Sequence, residues 1–397
     1  MWFAVLAVRS VRQNFSPSGE ILELLETFRR MVNHCIEIGI TCNISSLKKL
    51  SLQSYRELRA YDCPSKYRLC AISRAAGILA ARKKSLKRGF VSKNPYAVKP
   101  QLISCYGFKL EKNRLRIPLK SRRHCEVQLN KHTQSVISEP GLEVRSFTLT
   151  ATKLTLCITK EVTEVRCLDT SGVDRNFRNL TYGNEERIIH YDLSKSVSIG
   201  DTTRSIVGSF KRNDVRVRRK VASKYGRRRR DRTVQLLHQA TKRIVVDALR
   251  NRQAIVLEDI RGIRALYRKG NGQGRSLRAS MNTWSFGEAQ RQIEYKARWV
   301  GLPVIRLSKR ETMGTSRACP RCGERLQSDK KHRRELWCST CKNWMDRDAV
   351  AVINLSRRGR LRFERSKGGA VEAVKGNPTT TVIPGVDAPK LTYQTTS

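Results

Sequence analysis

Two Cys-x-x-Cys pairs stand close together in the last third of the chain: Cys319-Pro-Arg-Cys322 and, after fifteen intervening residues, Cys338-Ser-Thr-Cys341. Each pair offers two thiolates from a tight turn, and two pairs at this separation suit one tetrahedral Zn²⁺. Gly323 relieves the first turn. Four thiolates leave no position for water, so the expected ion is structural, and His332 between the pairs is not needed as a ligand. A second group is acidic. Asp174 closes the run Cys167-Leu-Asp-Thr-Ser-Gly-Val-Asp174, Glu258 closes Ala254-Ile-Val-Leu-Glu258, and Asp348 stands in Asp346-Arg-Asp348-Ala-Val-Ala-Val-Ile-Asn-Leu. Hydrolysis of a phosphodiester needs a hydroxide and charge relief at phosphorus and leaving oxygen, which two divalent ions about 4 Å apart supply. Mg²⁺, or Mn²⁺ in its place, prefers carboxylate oxygens and water. Singly, each acid has a plainer reading: Asp346 and Asp348 as helix caps, Glu258 as a partner of Arg261 or Arg264, Asp174 as a turn opener. Their joint placement, at strand ends and a helix start, adds to the case for shared ions and does not make it alone.

Such a site needs two strands and a helix to deliver it. From Val165 the order is three strands, a long basic helix from about 214 to 250, a buried strand, a helix and another strand, which is an α/β order. Ala254 to Glu258 has the apolar continuity of a strand covered on both faces. Ala351, Val352 and Leu355 follow Asp348 at three, four and seven residues and seat the last helix on the sheet. Upstream, Arg114 to Leu119, Cys125 to Leu129, Arg145 to Thr150 and Lys153 to Thr159 are short and β-rich, which predicts a small antiparallel barrel or sandwich completed by an edge strand from Trp2 to Val11. Glu20 to Leu52 and Tyr55 to Lys87 read as helices inserted into it. Gly270 to Gly274 reads as a flexible loop, and beyond 365 the Gly-, Thr- and Pro-rich tail is expected to be disordered.

The chain of 397 residues carries 80 Lys and Arg against 34 Asp and Glu, a formal net charge of +46. A compact chain so charged needs an anionic partner. Nucleic acid fits, with Arg227, Arg228, Arg229 and Arg230 on the long helix and Lys330, Lys331, Arg333 and Arg334 between the cysteine pairs as phosphate contacts. A ribosomal or chromatin protein would share the charge but not the acids. A membrane partner is not expected: Trp2 to Val8 is too short to span and lacks the flanks of a secretory signal. The eight remaining cysteines, scattered from Cys35 to Cys167, suit a reducing, cytoplasmic setting, nucleoid-associated when DNA is bound. Cys35/Cys42 and Cys63/Cys70 do not have the spacing of a metal knuckle.

These motifs resemble TnpB, the RNA-guided DNA nucleases of insertion sequences related to type V CRISPR effectors. Gly172 to Leu180 looks like the first RuvC motif and Ile255 to Ile260 like the second. Trp284-Ser-Phe286 with Gln292 to Ala297, Gly301 to Val304, Thr315 to Gly323, and Asp346-Arg-Asp348 with Asn354 follow in family order. The likeness is specific from about 165 to 357 and rests on order and texture upstream. It implies an α+β multidomain protein: a β-barrel wedge domain (1–15 and 89–164) with a helical recognition lobe (16–88), an RNase H-like RuvC domain (165–312 and 345–364) and a zinc-binding insert (313–344), then the tail (365–397). It implies that Asp174, Glu258 and Asp348, in preference to Asp259 and Asp346, hold Mg²⁺ and cut DNA opposite a guide RNA from the transposon end, while protein reads the adjacent target duplex. The product would carry a 5′-phosphate. A miniature type V CRISPR effector would show nearly the same residues; a non-cleaving RNA-guided regulator would lack an acid; a transposase joining strands by itself ranks last. Two departures stand out: Asn176 where many relatives have Gly, and Val350 where many have Asn.

Overall fold

In the computed structural model the described residues are 4–90, 93–120, 123–210, 215–260, 262–268, 270–329, 334–365 and 379–383. They fall into two compact units, Leu6–Glu161 and the chain from Val162 onward with its first residues.

The first unit combines helices and strands. β1 (Ala4–Asn14) leads to α1 (Gly19–Thr41), α2 (Leu47–Ser54) and α3 (Ser65–Lys87). There follow β2 (Gln101–Ser104), β3 (Lys109–Glu111), β4 (Arg114–Lys120), β5 (Arg123–Gln128), α4 (Lys131–Ile137), β6 (Glu143–Thr150) and β7 (Lys153–Thr163). The strands form two sheets, β1-β7-β6-β2 and β3-β4-β5, with β1 at an edge as its sequence suggested. The helix expected over 20–52 is two: Asn43 adopts a left-handed backbone (φ 53°) and ends α1, as Asn does at low steric cost. The one expected over 55–87 begins only after Pro64, which cannot donate to a preceding turn.

The second unit begins with β8 (Asp169–Arg175), β9 (Asn179–Gly183) and β10 (Arg187–Asp192). α5 (Ser194–Gly208) and α6 (Val215–Arg250) precede β11 (Gln253–Glu258), α7 (Arg275–Thr283), α8 (Phe286–Trp299) and β12 (Val304–Leu307). Then come β13 (Gln327–Ser328), β14 (Glu335–Cys338), β15 (Asn343–Asp346), α9 (Arg347–Arg365) and β16 (Thr379–Ile383). The main sheet runs β12-β11-β8-β9-β10-β16. β8, β9 and β10 form an antiparallel meander; β11 is parallel to β8, and β12 to β11. Of the tail at 365–397, the described part is Arg365, which ends α9, and the strand β16, parallel to β10; the rest lies outside the described residues. Residues 270–274 are turn and coil leading into α7, and Lys269 lies outside the described residues.

Alternation along the strands assigns the two faces. Val173, Ile255 and Leu257 join Leu237, Ala240 and Ile244 of α6 and Ala289 and Ile293 of α8 in one apolar cluster. Gly172 and Val256 face the other way, onto α9. A Cβ at Gly172 would stand 2.3 Å from the Val352 carbonyl oxygen, and one at Gly359 would stand 2.2 Å from Val256 Cγ2. Only glycines let helix and sheet approach so closely. Thr170 Oγ1 donates to the Ser356 carbonyl and Ser356 Oγ to that of Thr170, which fixes the helix along the strand. α9 thus runs antiparallel to β8.

Candidate active site and metal centre

The face assignment carries over to the acids. Asp174 lies two residues beyond Gly172, and Glu258 two beyond Val256, so both side chains emerge on the α9 face. Leu257 pairs with Val173, which sets Glu258 level with Asp174 at the same ends of parallel neighbours. Asp348 occupies the first turn of α9, above those ends. Three carboxylates separated by up to 174 residues therefore meet on one face.

Asp346 and Asp348 are placed differently. Its Oδ1 accepts from the backbone N–H of Asp348 and Ala349, each at 2.9 Å, so it caps α9. Asp348 is left facing the sheet. Its Oδ2 accepts from Asn179 Nδ2 at 3.0 Å and is paired with Arg334, which arrives from the start of β14. Arg334, one of the residues offered by the sequence as a phosphate contact, forms an ion pair here. Asp174 Oδ2 accepts from Asn176 Nδ2 at 2.8 Å. The Asn176 backbone is not left-handed; its side chain, which Gly would lack, is what it contributes. Burial, then the charge of Asp348, with Glu258 adding to both, pushes the Asp174 carboxyl up to about 6 against the Asn176 hydrogen bond.

Beneath the acids lies Arg175, buried, on the opposite face of β8. It donates to the Glu258 carbonyl oxygen, and its Nη1 to Gln290 Oε1 at 2.7 Å. That guanidinium holds the last residue of β11 in place. Burial lowers its pKa, opposed by the nearby Glu258, Asp174, Glu294 and Asp259. Neither Arg175 nor Asn179 was singled out by sequence; each acts on an acid from another element, and no local pattern marks that.

The donor set fits Mg²⁺ chemically, being all hard oxygens. Two further observations agree: burial, with the charges of Asp348 and Glu258 added to it, holds a proton on Asp174 until about pH 6, and the buried Asn179 Oδ1 beside Asp348 has no hydrogen-bond partner. The three carboxylates are not drawn as tightly as the cysteines. Asp174 and Asp348 are each turned to partners of their own, Asn176 for the first and Asn179 with Arg334 for the second.

The four cysteines are tighter. Cys319, Cys322, Cys338 and Cys341 bring their sulfurs within 4.8 Å of one another, the only such group of ligating side chains among the described residues. Cys322 and Cys338 stand 3.5 Å apart, Cys319 and Cys341 3.8 Å. The Cys341 N–H donates to Cys338 Sγ and lowers that thiol to about 7, while hydrogen bonding among the sulfurs, Cys322 first, raises Cys341 to about 12. One thiolate forms easily and the next resists, as neighbouring thiols that share hydrogen bonds do. Leu326, Leu336 and Val350 pack around them. Val350, the apolar departure from the family pattern, is thus part of this small core. Asn354 Nδ2 donates to the Thr315 and Ala318 carbonyls and ties the first knuckle to α9.

Arg227, Arg228 and Arg230 are exposed on α6 and Arg229 is half-buried. Lys330, Lys331, His332 and Arg333 lie outside the described residues. No described helix is long and apolar enough to cross a membrane.

The chain is similar to known proteins in sequence and in fold. Residues 286–355, from α8 through the cysteines to α9, match the Cas12f1-like TNB domain. A TnpB-like protein of Methanocaldococcus jannaschii is 29% identical over 202 residues, covering 47% of this chain and 67% of its own. The solved mini-RNA-guided endonuclease CRISPR-Cas phi3 superposes with a TM-score of 0.53 at 11% identity, over 89% of this chain and 92% of its own. A Cas12f1–sgRNA–target DNA complex is more distant, with a TM-score of 0.36 at 12% identity over 88% of this chain and 98% of its own.

Proposed function

We propose that this chain, TnpB-like in sequence and carrying a Cas12f1-like TNB domain, is an RNA-guided, Mg²⁺-dependent DNA endonuclease of a mobile element. The observation that carries the reading is the convergence of Asp174, Glu258 and Asp348 on one face of the sheet, from β8, β11 and α9. The strand order, with an antiparallel meander flanked by two parallel strands, supports an RNase H-like RuvC domain. Bound between the carboxylates, Mg²⁺ would supply a hydroxide at neutral pH and relieve charge at the scissile phosphate. Arg175 fixes Glu258 through its backbone, Asn176 orients Asp174, and Asn179 orients Asp348. The four cysteines would hold one structural Zn²⁺. Exposed arginines of α6 would contact guide RNA or heteroduplex phosphates, base pairing would read the target, and no membrane is involved.

A miniature type V CRISPR effector is the second reading, favoured by the TNB match. The same residues serve it, and neighbouring genes separate the two. A non-cleaving regulator is disfavoured because all three acids are present.

The test is to purify the protein with the RNA it carries, sequence that RNA, and challenge a matched duplex with Mg²⁺ and with EDTA. Cutting should need Mg²⁺. Asp174→Ala should abolish it and leave RNA and DNA binding intact; a variant that cuts as well as the wild type refutes the site.

A further inference from the structure

Asn179 opens β9 and faces the carboxylates from the meander. Its amide can be oriented only one way there. Asp348 accepts and cannot donate when ionised, so the group within 3.0 Å of Asp348 Oδ2 must be Nδ2. The other end of the amide, Oδ1, is then fixed as well. It is buried, and nothing donates to it. A buried carbonyl oxygen without a donor is rare enough in folded proteins to call for a missing group. The side chain has little freedom to relieve it, because its backbone is tied at both edges: its carbonyl accepts from Asn176 N–H at 3.0 Å, and β10 pairs with it through Asp192.

We infer that Asn179 belongs to the metal site as a positioning residue, orienting Asp348 through Nδ2 and accepting at Oδ1 a hydrogen from a water of the divalent ion's shell. The inference rests on the carboxylate reading above and adds a residue to it. Mg²⁺ keeps several of its waters in protein sites, and a water bound to a cation is a stronger donor than a free one. A neutral amide acceptor there holds that water without adding a fourth negative charge to a face that already carries three. An aspartate would accept as well but would repel Asp348; a leucine or alanine would leave the water without a protein partner on that side. The amide therefore does two things at once, and the two ends are separable by substitution.

The experiment uses the full-length protein with its bound RNA, and Mn²⁺ as probe. Bound Mn²⁺ is counted by electron paramagnetic resonance, and melting temperature is followed in EDTA and across a Mn²⁺ titration. Sites on the RNA are subtracted with Asp174→Ala, which should lose the protein's tight site. Asn179→Ala should bind Mn²⁺ roughly 10- to 100-fold more weakly, the usual cost of removing a partner of a ligand, while melting in EDTA changes little. Asn179→Asp keeps an oxygen at Oδ1 and turns the donor toward Asp348 into a second charge. It should melt lower than the wild type in EDTA and recover with Mn²⁺ an increment at least as large. Unchanged Mn²⁺ affinity in Asn179→Ala, or an Asn179→Asp protein that melts lower and gains less from Mn²⁺ than the wild type, overturns the role of Asn179 and leaves the carboxylate site standing. Tight Mn²⁺ binding that survives Asp174→Ala overturns the site itself. Should Asn179→Ala fail to fold, Asn179→Asp decides by the same two readings.

Discussion

Asp174 is buried and faces two other acids, and in the metal-free chain it keeps its proton up to about pH 6, against an ordinary 3.8. Between those values the folded chain binds a proton that the unfolded chain has released. The contribution of this group to stability is therefore most favourable below pH 4, is lost as pH rises to 6, and is flat above. A displacement of about two units corresponds to about 3 kcal/mol at neutral pH. Asp174→Asn keeps the shape and the acceptor for Asn176 but removes the charge. In EDTA at pH 7.5 it should be more stable than the wild type by up to about 3 kcal/mol, and near pH 4 the two should converge. Urea unfolding at the two pH values reads this directly. Mg²⁺ should then raise the stability of the wild type and not of the variant. A wild type as stable as Asp174→Asn in EDTA at neutral pH would mean that Asp174 is neither buried nor faced by the other acids in solution.

At the scale of elements, the site depends on how closely α9 lies on β8 and β11. The Val352 carbonyl passes where a Cβ of residue 172 would be, at 2.3 Å, and backbone has no rotamer to yield. Gly172→Ala must therefore lift the helix, at a cost of about 1–3 kcal/mol, and Asp348 rides on its first turn. Thermal unfolding should show the loss, and Mn²⁺ affinity should fall with it although no ligand is touched; an unperturbed Mn²⁺ site would show that Asp348 is held by Arg334 and Asn179 alone. The same elements divide what the sequence makes legible from what it hides. β11 and α9 declare themselves by an apolar run and by a three-four-seven pattern, so their acids could be found at strand end and helix start. Both are local signals. α5 is not declared, because it buries no residue and has no stripe to read. The helix expected over 20–52 hides its break because one left-handed Asn43 leaves no mark on periodicity. Partners of the acids are hidden for a different reason: Asn179 meets Asp348 across 169 residues and Arg175 meets the Glu258 carbonyl across 83. Chain topology alone brings these together.

For the whole molecule the governing quantity is charge. Under the proposed function a net +46 is matched by phosphates, and each phosphate neutralised on a single strand releases about 0.7 of a counterion, rising to about 0.9 on B-form DNA. The four arginines from 227 to 230 occupy one turn of α6, so they cannot all face the same backbone. Arg230 lies 3.7 Å from Asp231, Arg228 lies over the Tyr225 ring at 5.6 Å, and Arg229 is half-buried. Arg227 has none of these engagements, and the exposed Arg228 and Arg230 can turn from theirs to phosphate, which makes two or three contacts in all. Replacing all four by alanine should weaken RNA binding and reduce the slope of log affinity against log salt by about 2. Alanine is the best helix former, so α6 should persist by circular dichroism and the loss can be assigned to charge. The Mn²⁺ site at Asp174 and Asp348 should be untouched, and cutting should return at low salt, where the remaining cations suffice. A slope equal to that of the wild type would mean that this turn of α6 carries no phosphate, and that the excess charge is neutralised through other faces of the molecule.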